Sequence, residues 1–366
     1  MIETSLKVLK KLEARGFKAY IVGGFVRDYL LNRKSVDVDI STNATPKEIK
    51  EIFPDSFLPN EAYGSITIIQ NKIRFEITTF RREFQYYNNR KPLDIEYTND
   101  LYEDLNRRDF TINTLCMNSS GEILDFLNVK DDLELKKIKT VGNSIDKFTE
   151  DALRILRAVR FATVLEFELD EEVKHAIDKT KKYLQNISFN RKKQELDRIF
   201  MSKNCKYGVE LLVELGLDIE LEIYNLKDIK ISNDLLGIWS SLEVSPKYPF
   251  TKAEKDLIEK IKRAESFDNF DKKVLYTYGP YVNSIAAINK GKDNTKVINI
   301  YNDLPIKVRS DILITSKEIM QLFNKGPGKY IDEVYKDLED KILYGVIPND
   351  PSSIREYIIN SYLIDR

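Results

Sequence analysis

Asp37 and Asp39 occupy positions i and i+2 of the run Asp37-Val38-Asp39-Ile40. On a strand, alternate residues face one side, so both carboxylates project together. Like charges that close repel, and a divalent cation between them is the simplest resolution. Carboxylate oxygens suit Mg2+, which keeps water and substrate phosphates among its ligands and so fits nucleotide chemistry. Alone, Asp-x-Asp is more often a solvated surface strand; the neighbouring residues are what point to chemistry.

Upstream, Ile21-Val22-Gly23-Gly24-Phe25-Val26-Arg27-Asp28 reads as a strand that ends in glycines and opens a helix with Arg27 in its first turn. Backbone N–H groups at such a start, joined by a guanidinium, form a phosphate cradle. Glu76, alternating with Phe75 and Ile77, is the best third carboxylate for a two-metal arrangement, with an exposed strand acid as the alternative. Arg108 of Arg107-Arg108-Asp109-Phe110-Thr111-Ile112-Asn113 either pairs with Asp109 or neutralises charge on a nucleotide or leaving pyrophosphate. Asp151, Arg154, Arg157 and Arg160 recur every three residues, which on one helix makes a slowly winding ridge, with Leu153, Leu156 and Val159 on the core side. A salt-bridged solvated face explains such a stripe. An acid acceptor one turn from an arginine fork also matches the hydrogen-bonding edge of a base.

The elements that must position these residues are short. Residues 4–15 read as a helix, 18–22 as a buried strand, 25–32 as a helix and 36–40 as the acidic strand. Strands 65–69 and 74–79 flank a turn at Asn71, residues 109–117 form another ordered segment, and 123–126 another strand. After about residue 145 strand signals fade and helical periods dominate, so a mixed α/β module precedes a helical half.

At 366 residues, more than one structural unit is expected. The net charge of −1 announces no polyanion partner, so nucleic acid must be met through local patches, such as the excess of Lys181, Lys182, Arg191, Lys192, Lys193, Arg198 and Lys203 over Glu195 and Asp197. A single histidine, His175, excludes His-pair phosphohydrolase chemistry and His-rich zinc sites. Two distant cysteines, Cys116 and Cys205, exclude a disulfide framework and suit a reducing cytoplasm. The N-terminus lacks a signal-peptide core, and no run approaches the ~18 apolar residues of a membrane span. A soluble cytoplasmic protein with no membrane partner is expected; the sequence leaves its oligomeric state unknown.

Four motifs in order, Gly-Gly-x-Val-Arg-Asp, Asp-Val-Asp-Ile-Ser-Thr, Arg-Arg-Asp-Phe-Thr-Ile-Asn and Glu-Asp-Ala-Leu-Arg-Ile-Leu-Arg-Ala-Val-Arg-Phe, closely resemble those of the bacterial class II tRNA nucleotidyltransferases, or CCA-adding enzymes, and their poly(A) polymerase relatives. The likeness is strong over about residues 18–203, including Ile187-Ser188-Phe189-Asn190-Arg191 and Glu195. It returns near 319–348, where Lys325-Gly326-Pro327-Gly328-Lys329 joins two helices. The resemblance implies an α+β fold: a seahorse-like molecule with a polymerase-β-like nucleotidyltransferase head with mixed sheet (1–140), then an all-helical neck with a nucleotide-selecting helix (141–203), body (204–300) and tail (301–366), the tail in contact with tRNA. Asp37 and Asp39 become metal ligands, with Mg2+ as cofactor and Glu76 as third carboxylate. Gly24, Arg27 and Arg108 hold the triphosphate, and Asn113 meets the ribose. Asp151 and Arg154 pair with the base of CTP or ATP, supported by Arg157 and Arg160. Asn128-Val129 replaces the usual glycines after Asp125, and Asn190 stands where an acid is common, which leaves a hinge and a neck ion pair in question.

The implied reaction is template-independent addition of CCA to the tRNA 3′ end from CTP and ATP, with release of pyrophosphate. CC-only relatives have a shortened loop, whereas Arg81 to Asn106 here is full, with Tyr86-Tyr87-Asn88-Asn89-Arg90-Lys91-Pro92, which argues for adding A. A-only addition and poly(A) synthesis share all these motifs and stay open. A catalytically idle RNA-binding protein on the same scaffold would be marked by loss of a metal carboxylate, and both Asp37 and Asp39 are intact.

Overall fold

The computed structural model describes all residues except 36, 61–63, 88, 90 and 364–366. The chain divides into two compact units, one of Met1–Lys227 with Val244–Pro249, the other of Asp228–Glu243 with Phe250–Arg366.

In the first unit the strands are β1 (Ala19–Val22), β2 (Val38–Thr42), β3 (Phe57–Asn60), β4 (Ser65–Gln70), β5 (Ile73–Thr79), β6 (Arg81–Tyr87), β7 (Lys91–Tyr97), β8 (Cys116–Met117), β9 (Ile123–Leu124), β10 (Lys137–Ile138) and β11 (Glu168–Leu169). The helices are α1 (Ile2–Glu13), α2 (Gly24–Leu30), α3 (Pro46–Ile52), α4 (Leu101–Asn106), α5 (Lys130–Glu134), α6 (Ser144–Glu150), α7 (Leu153–Leu165), α8 (Glu171–Thr180), α9 (Phe189–Phe200), α10 (Cys205–Glu214) and α11 (Leu217–Leu221). A mixed sheet runs in the order β3-β4-β5-β2-β1-β8-β9, with β2 and β5 parallel and the other pairs antiparallel.

The expected early elements are present, displaced by a residue or two. The acidic strand begins at Val38 rather than 36, and the strand expected over 123–126 is two residues long. Asn71 and Lys72 both take positive φ, 50° and 64°, the two-residue turn whose twist suits an antiparallel hairpin. The segment expected as a loop over 81–106 is instead a separate hairpin, β6–β7, followed by α4. In the expected loop sequence, Asn88 and Arg90 lie outside the described residues. Both cysteines are buried and free.

α7, α9 and α10 pack together, and Gly208 on α10 makes that possible. A Cβ there would stand 2.5 Å from Thr163 Oγ1 and 2.7 Å from Ile199 Cγ2.

The second unit is helical: α12 (Leu235–Ser240), α13 (Lys252–Glu265), α14 (Lys272–Asn289), α15 (Thr295–Asn302), α16 (Ser316–Phe323), α17 (Tyr330–Leu343) and α18 (Pro351–Tyr362). Leu275, Val297, Ile319, Leu338, Ile342 and Ile354 are at the heart of its core. α14 breaks at Gly279-Pro280, where Gly279 has φ 74° and proline removes a donor. The Asn283 side chain donates to the Gly279 carbonyl at 2.8 Å and the Val274 carbonyl at 3.2 Å, so these groups stay satisfied. Among the described residues no helix is long and apolar enough to cross a membrane.

Gly208→Ala is expected to destabilise the first unit by about 1–3 kcal/mol, the usual cost of overpacking, read as a lower melting temperature; an unchanged melt would show that the helices separate at no cost.

Candidate functional site

Register places the first carboxylates. β2 and β5 pair in parallel with Asp39 opposite Glu76, and β1 pairs with β2 with Val22 opposite Asp39. Laterally paired residues share a face, so Glu76 stands beside Asp39 on the neighbouring strand. Asp37 is exposed just before β2 begins. The chain leaves β1 at Gly23, whose φ of 77° an L side chain rarely adopts. A Cβ at Gly23 would lie 3.2 Å from Asp39 Oδ2 and 3.7 Å from Arg108 Nη1. Gly23 thus keeps the carboxylate clear; at Gly24, the glycine expected at the triphosphate, a Cβ would meet the Arg27 guanidinium at 3.4 Å.

Asp39, Glu76 and Arg108 line a polar cleft of about 280 Å3. Protein crowding raises the Asp39 pKa to about 6, the Arg108 guanidinium opposes this, and the charges of Glu76 and Asp37 add to it. The side chain is nonetheless open to solvent, so the crowding acts at the mouth of a cleft.

Arg107 and Arg108 line this cleft and also a second one of about 280 Å3 that holds Asp151, Arg154 and Arg157. Their anchor is Asp104 on α4, which has no accessible surface. Its Oδ1 accepts from Arg107 Nε at 2.9 Å and Nη2 at 2.8 Å; its Oδ2 accepts from Arg108 Nη2 at 3.1 Å and Ser41 Oγ at 3.2 Å. Burial alone would push this carboxyl up, yet the two guanidiniums hold it below the usual range. Arg107 also pairs with Glu83 of β6 at 3.2 Å. Arg108 Nε is buried without a partner among the described residues. Asp104 and Glu83 were missed by the sequence reading: an acid inside a short helix and one in an expected loop carry no spacing signal.

The expected single ridge of Asp151, Arg154, Arg157 and Arg160 does not form. Asp151 lies outside the helix, in extended conformation between α6 and α7, because its carboxylate accepts the Leu153 N–H at 3.0 Å and breaks the helix there. Arg154 is buried, donating to Glu150 at 2.7 Å, the Lys147 carbonyl at 3.1 Å and the Arg107 carbonyl at 3.0 Å. Arg157 clasps Asp109, whose other oxygen accepts from Asn113 at 3.1 Å. Burial works to raise the Asp109 pKa, but Arg157 holds it far below the carboxylate range. Arg27 is buried and bonds Asp28 and, at 2.7 Å, Asn113 Oδ1. Arg160 pairs with Glu195 on α9. Three guanidiniums, Arg27, Arg157 and Arg160, lie 4.0–5.5 Å from the Phe161 ring centroid.

The hairpin tip closes on the same junction. Asn89 accepts the Ala152 N–H at 2.9 Å, donates to the Thr149 carbonyl at 2.7 Å and accepts from Asn186 at 2.8 Å.

Three family models match in sequence order: the poly A polymerase head domain over residues 19–139, the probable RNA and SrmB-binding site of polymerase A over 166–218, and the putative tRNA nucleotidyltransferase domain 2 over 251–358. The CCA-adding enzyme of Ligilactobacillus salivarius is 34% identical over 389 residues, covering 96% of this chain and 95% of that one. That of Geobacillus sp. is 30% identical over 394 residues, covering 99% and 98%. The chain belongs to the CCA-adding enzyme family. The solved Bacillus stearothermophilus CCA-adding enzyme in complex with CTP superposes with a TM-score of 0.83 at 25% identity, covering 97% of this chain and 96% of that one. The Thermotoga maritima CCA-adding enzyme complexed with tRNA_CCA shares the fold, with a TM-score of 0.72 at 21% identity, covering 97% and 94%.

Relative to the expectations drawn for this CCA-adding family member, the basic stretch over 181–203 is not one free track. Lys192 is buried with its ammonium on the Glu220 carbonyl at 2.9 Å, and Lys181, Lys193 and Lys203 pair with Asp178, Asp197 and Glu166. Asn128 takes φ 55°, a conformation that asparagine tolerates better than most residues, so the turn after Asp125 is made without glycine. The loop 325–329 does join two helices, α16 and α17, and is exposed.

Among the described residues no three His, Cys, Asp or Glu side chains close on one point as a metal cage. The hard oxygens of Asp37 and Asp39 with Glu76 alongside fit a cation that takes few protein ligands, and the only histidine, His175, lies on α8.

Removing the anchor, Asp104→Ala, leaves two arginines without their buried counter-charge and is expected to cost about 3–5 kcal/mol, read as a lower denaturation midpoint. Asp39 supplies a pH test. Its folded pKa near 6 exceeds the unfolded value of about 3.9, so its contribution to stability is full below about 4 and is lost as pH rises through about 6. A bound cation offsets that loss, so the rise in melting temperature on adding Mg2+ is expected to be larger at pH 7.5 than at pH 5; an equal rise at both would contradict it.

Proposed function

We propose that this protein adds C, C and A to the tRNA 3′ end from CTP and ATP. The observation that carries the reading is that Arg107 and Arg108 line both clefts, so the carboxylate site and the Asp151 pocket are two ends of one nucleotide-sized site.

In this reading the triphosphate meets Gly24 and Arg108, whose buried Nε has no other partner among the described residues. Arg27 completes the triphosphate cradle, and its bond to Asn113 fixes the amide that meets the ribose. Asp151 offers the acceptor and Arg154 the donors for the edge of cytosine or adenine. Asp109 holds Arg157 in place, and Glu195 holds Arg160. Asp37 and Asp39 hold Mg2+, with Glu76 as third carboxylate. Bound there, divalent cations lower the pKa of the attacking 3′ hydroxyl and neutralise the leaving pyrophosphate. The hydroxyl attacks the α-phosphate in line, and one P–O bond forms as the bond to pyrophosphate breaks. Because the RNA end stays at one place and selection is made by side chains, one site serves C, C and A.

The division into head (1–140), neck (141–203), body (204–300) and tail (301–366) is part of the same reading. The exposed loop Lys325-Gly326-Pro327-Gly328-Lys329 and the exposed Lys182 and Arg198 are its tRNA phosphate contacts.

Three transcripts ending at the discriminator base, at C and at CC are offered with CTP and ATP, singly and together. Ordered products that stop at CCA are expected. AMP added only to the CC transcript would make it an A-adding enzyme, and long A tails a poly(A) polymerase. Asp37→Ala with Asp39→Ala is expected to abolish all incorporation; surviving incorporation would overturn the site.

A further inference from the structure

Five arginines and three carboxylates line the Asp151 cleft. Four of the arginines are tied to protein: Arg107 and Arg108 to Asp104, Arg154 to Glu150, and Arg157 to Asp109. Of the acids, Glu83 is matched by Arg107 and Asp109 by Arg157. Arg191 differs. It comes from the first turn of α9 and is exposed, and among the described residues its guanidinium has neither an ion-pair partner nor a hydrogen-bond acceptor.

We propose that Arg191 is a nucleotide-binding residue whose guanidinium takes phosphate oxygens of the incoming nucleoside triphosphate. The inference rests on reading this cleft as the nucleotide pocket. A base edge carries no net charge, and Asp151 with Arg154 already supplies an acceptor and donors for it. What the lining leaves without an ion-pair partner is the Arg191 guanidinium; Arg108, which meets the triphosphate in this reading, lines the same cleft, and a planar guanidinium fork fits phosphate in bidentate fashion. An arginine held by no neighbour keeps its rotamer freedom until the ligand arrives. Its contact therefore forms only in the loaded site, and the residue adds an α9 wall to a pocket otherwise built from β6, Asp151, α7 and the Arg107–Asp109 segment. The phosphodiester of the RNA 3′ end presents the same chemistry, and the test separates the two sources.

The full-length wild type, Arg191→Ala and Arg191→Lys are compared. Equilibrium dialysis measures CTP and CMP binding without RNA, initial rates give KM for CTP and for tRNA apart from kcat, and a melting curve reads stability. Loss of one charged bidentate contact is expected to weaken CTP about tenfold and CMP less than about threefold. The same change should raise KM for CTP more than it lowers kcat and leave the melting temperature in place, with partial recovery in Arg191→Lys. Equal losses for CTP and CMP would instead mean a base or ribose contact, and a change confined to the KM for tRNA would mean an RNA phosphate. A lowered melting temperature without loss of CTP binding, or no change at all, would also overturn the proposal. A wild type that binds no CTP would refute the pocket itself, and with it this inference.

Discussion

A carboxylate with no access to water governs the arginine wall of the site. Asp104 meets two guanidiniums and a serine hydroxyl, and a buried charge with that many partners cannot move without leaving at least one of them unsatisfied. Arg107 and Arg108 therefore keep their orientation whether or not an anionic ligand is present. Preorganised cations of this kind need no rearrangement at the moment charge develops, which is when electrostatic stabilisation has most effect. The arrangement also explains why Arg108 can face a carboxylate cleft and still leave a buried donor open.

Around that anchor, charges are matched unevenly. At the strand end, protein crowding, with Glu76 and Asp37 adding to it, raises the Asp39 pKa against the pull of Arg108; at Asp109, Arg157 holds the carboxyl ionised against burial. The first environment favours gaining a cation, and the second has already gained one. Phe161 contributes by shape: a single ring beneath three guanidiniums lets like charges sit near one another, each also bonded to its own acceptor.

Much of this was legible in the sequence, and the reasons differ by residue. Asp39 and Glu76 were readable because strand alternation is a two-residue rule, but their lateral pairing depends on β2 lying beside β5 in one parallel register, which alternation does not record. Gly23 was not separable from Gly24, because which glycine carries the positive φ depends on where β1 stops and how closely Asp39 approaches. The three-residue recurrence from Asp151 to Arg160 suggested one helix, but the Asp151 carboxylate prefers the Leu153 N–H to a helical turn, a local competition that periodicity does not record. Lys192 misled for a similar reason. A lysine in a basic run looks solvated, yet this one is buried, its ammonium 4.6 Å from the Phe189 ring centroid and bonded to a backbone carbonyl. The β6–β7 hairpin was missed although Leu93-Asp94-Ile95-Glu96-Tyr97 alternates apolar and polar residues, because the segment was read as a loop.

The short parallel pair β10–β11 has a topological meaning. Lys137 lies opposite Glu168 and Ile138 opposite Leu169, so the chain leaves and re-enters one ribbon on either side of the segment that carries Asp151, Arg154, Arg157 and Arg160. Backbone bonds from Thr111 to Lys139 and from Val141 to Asp109 stitch the departing end to the arginine segment as well. The helices between them are thus a closed loop clipped at both ends, with its closure entropy already met in the folded unit. A segment held that way is fixed at both ends, so the placement of Arg154 and Arg157 against the Arg107–Asp109 segment is tied to the ribbon rather than to one linker.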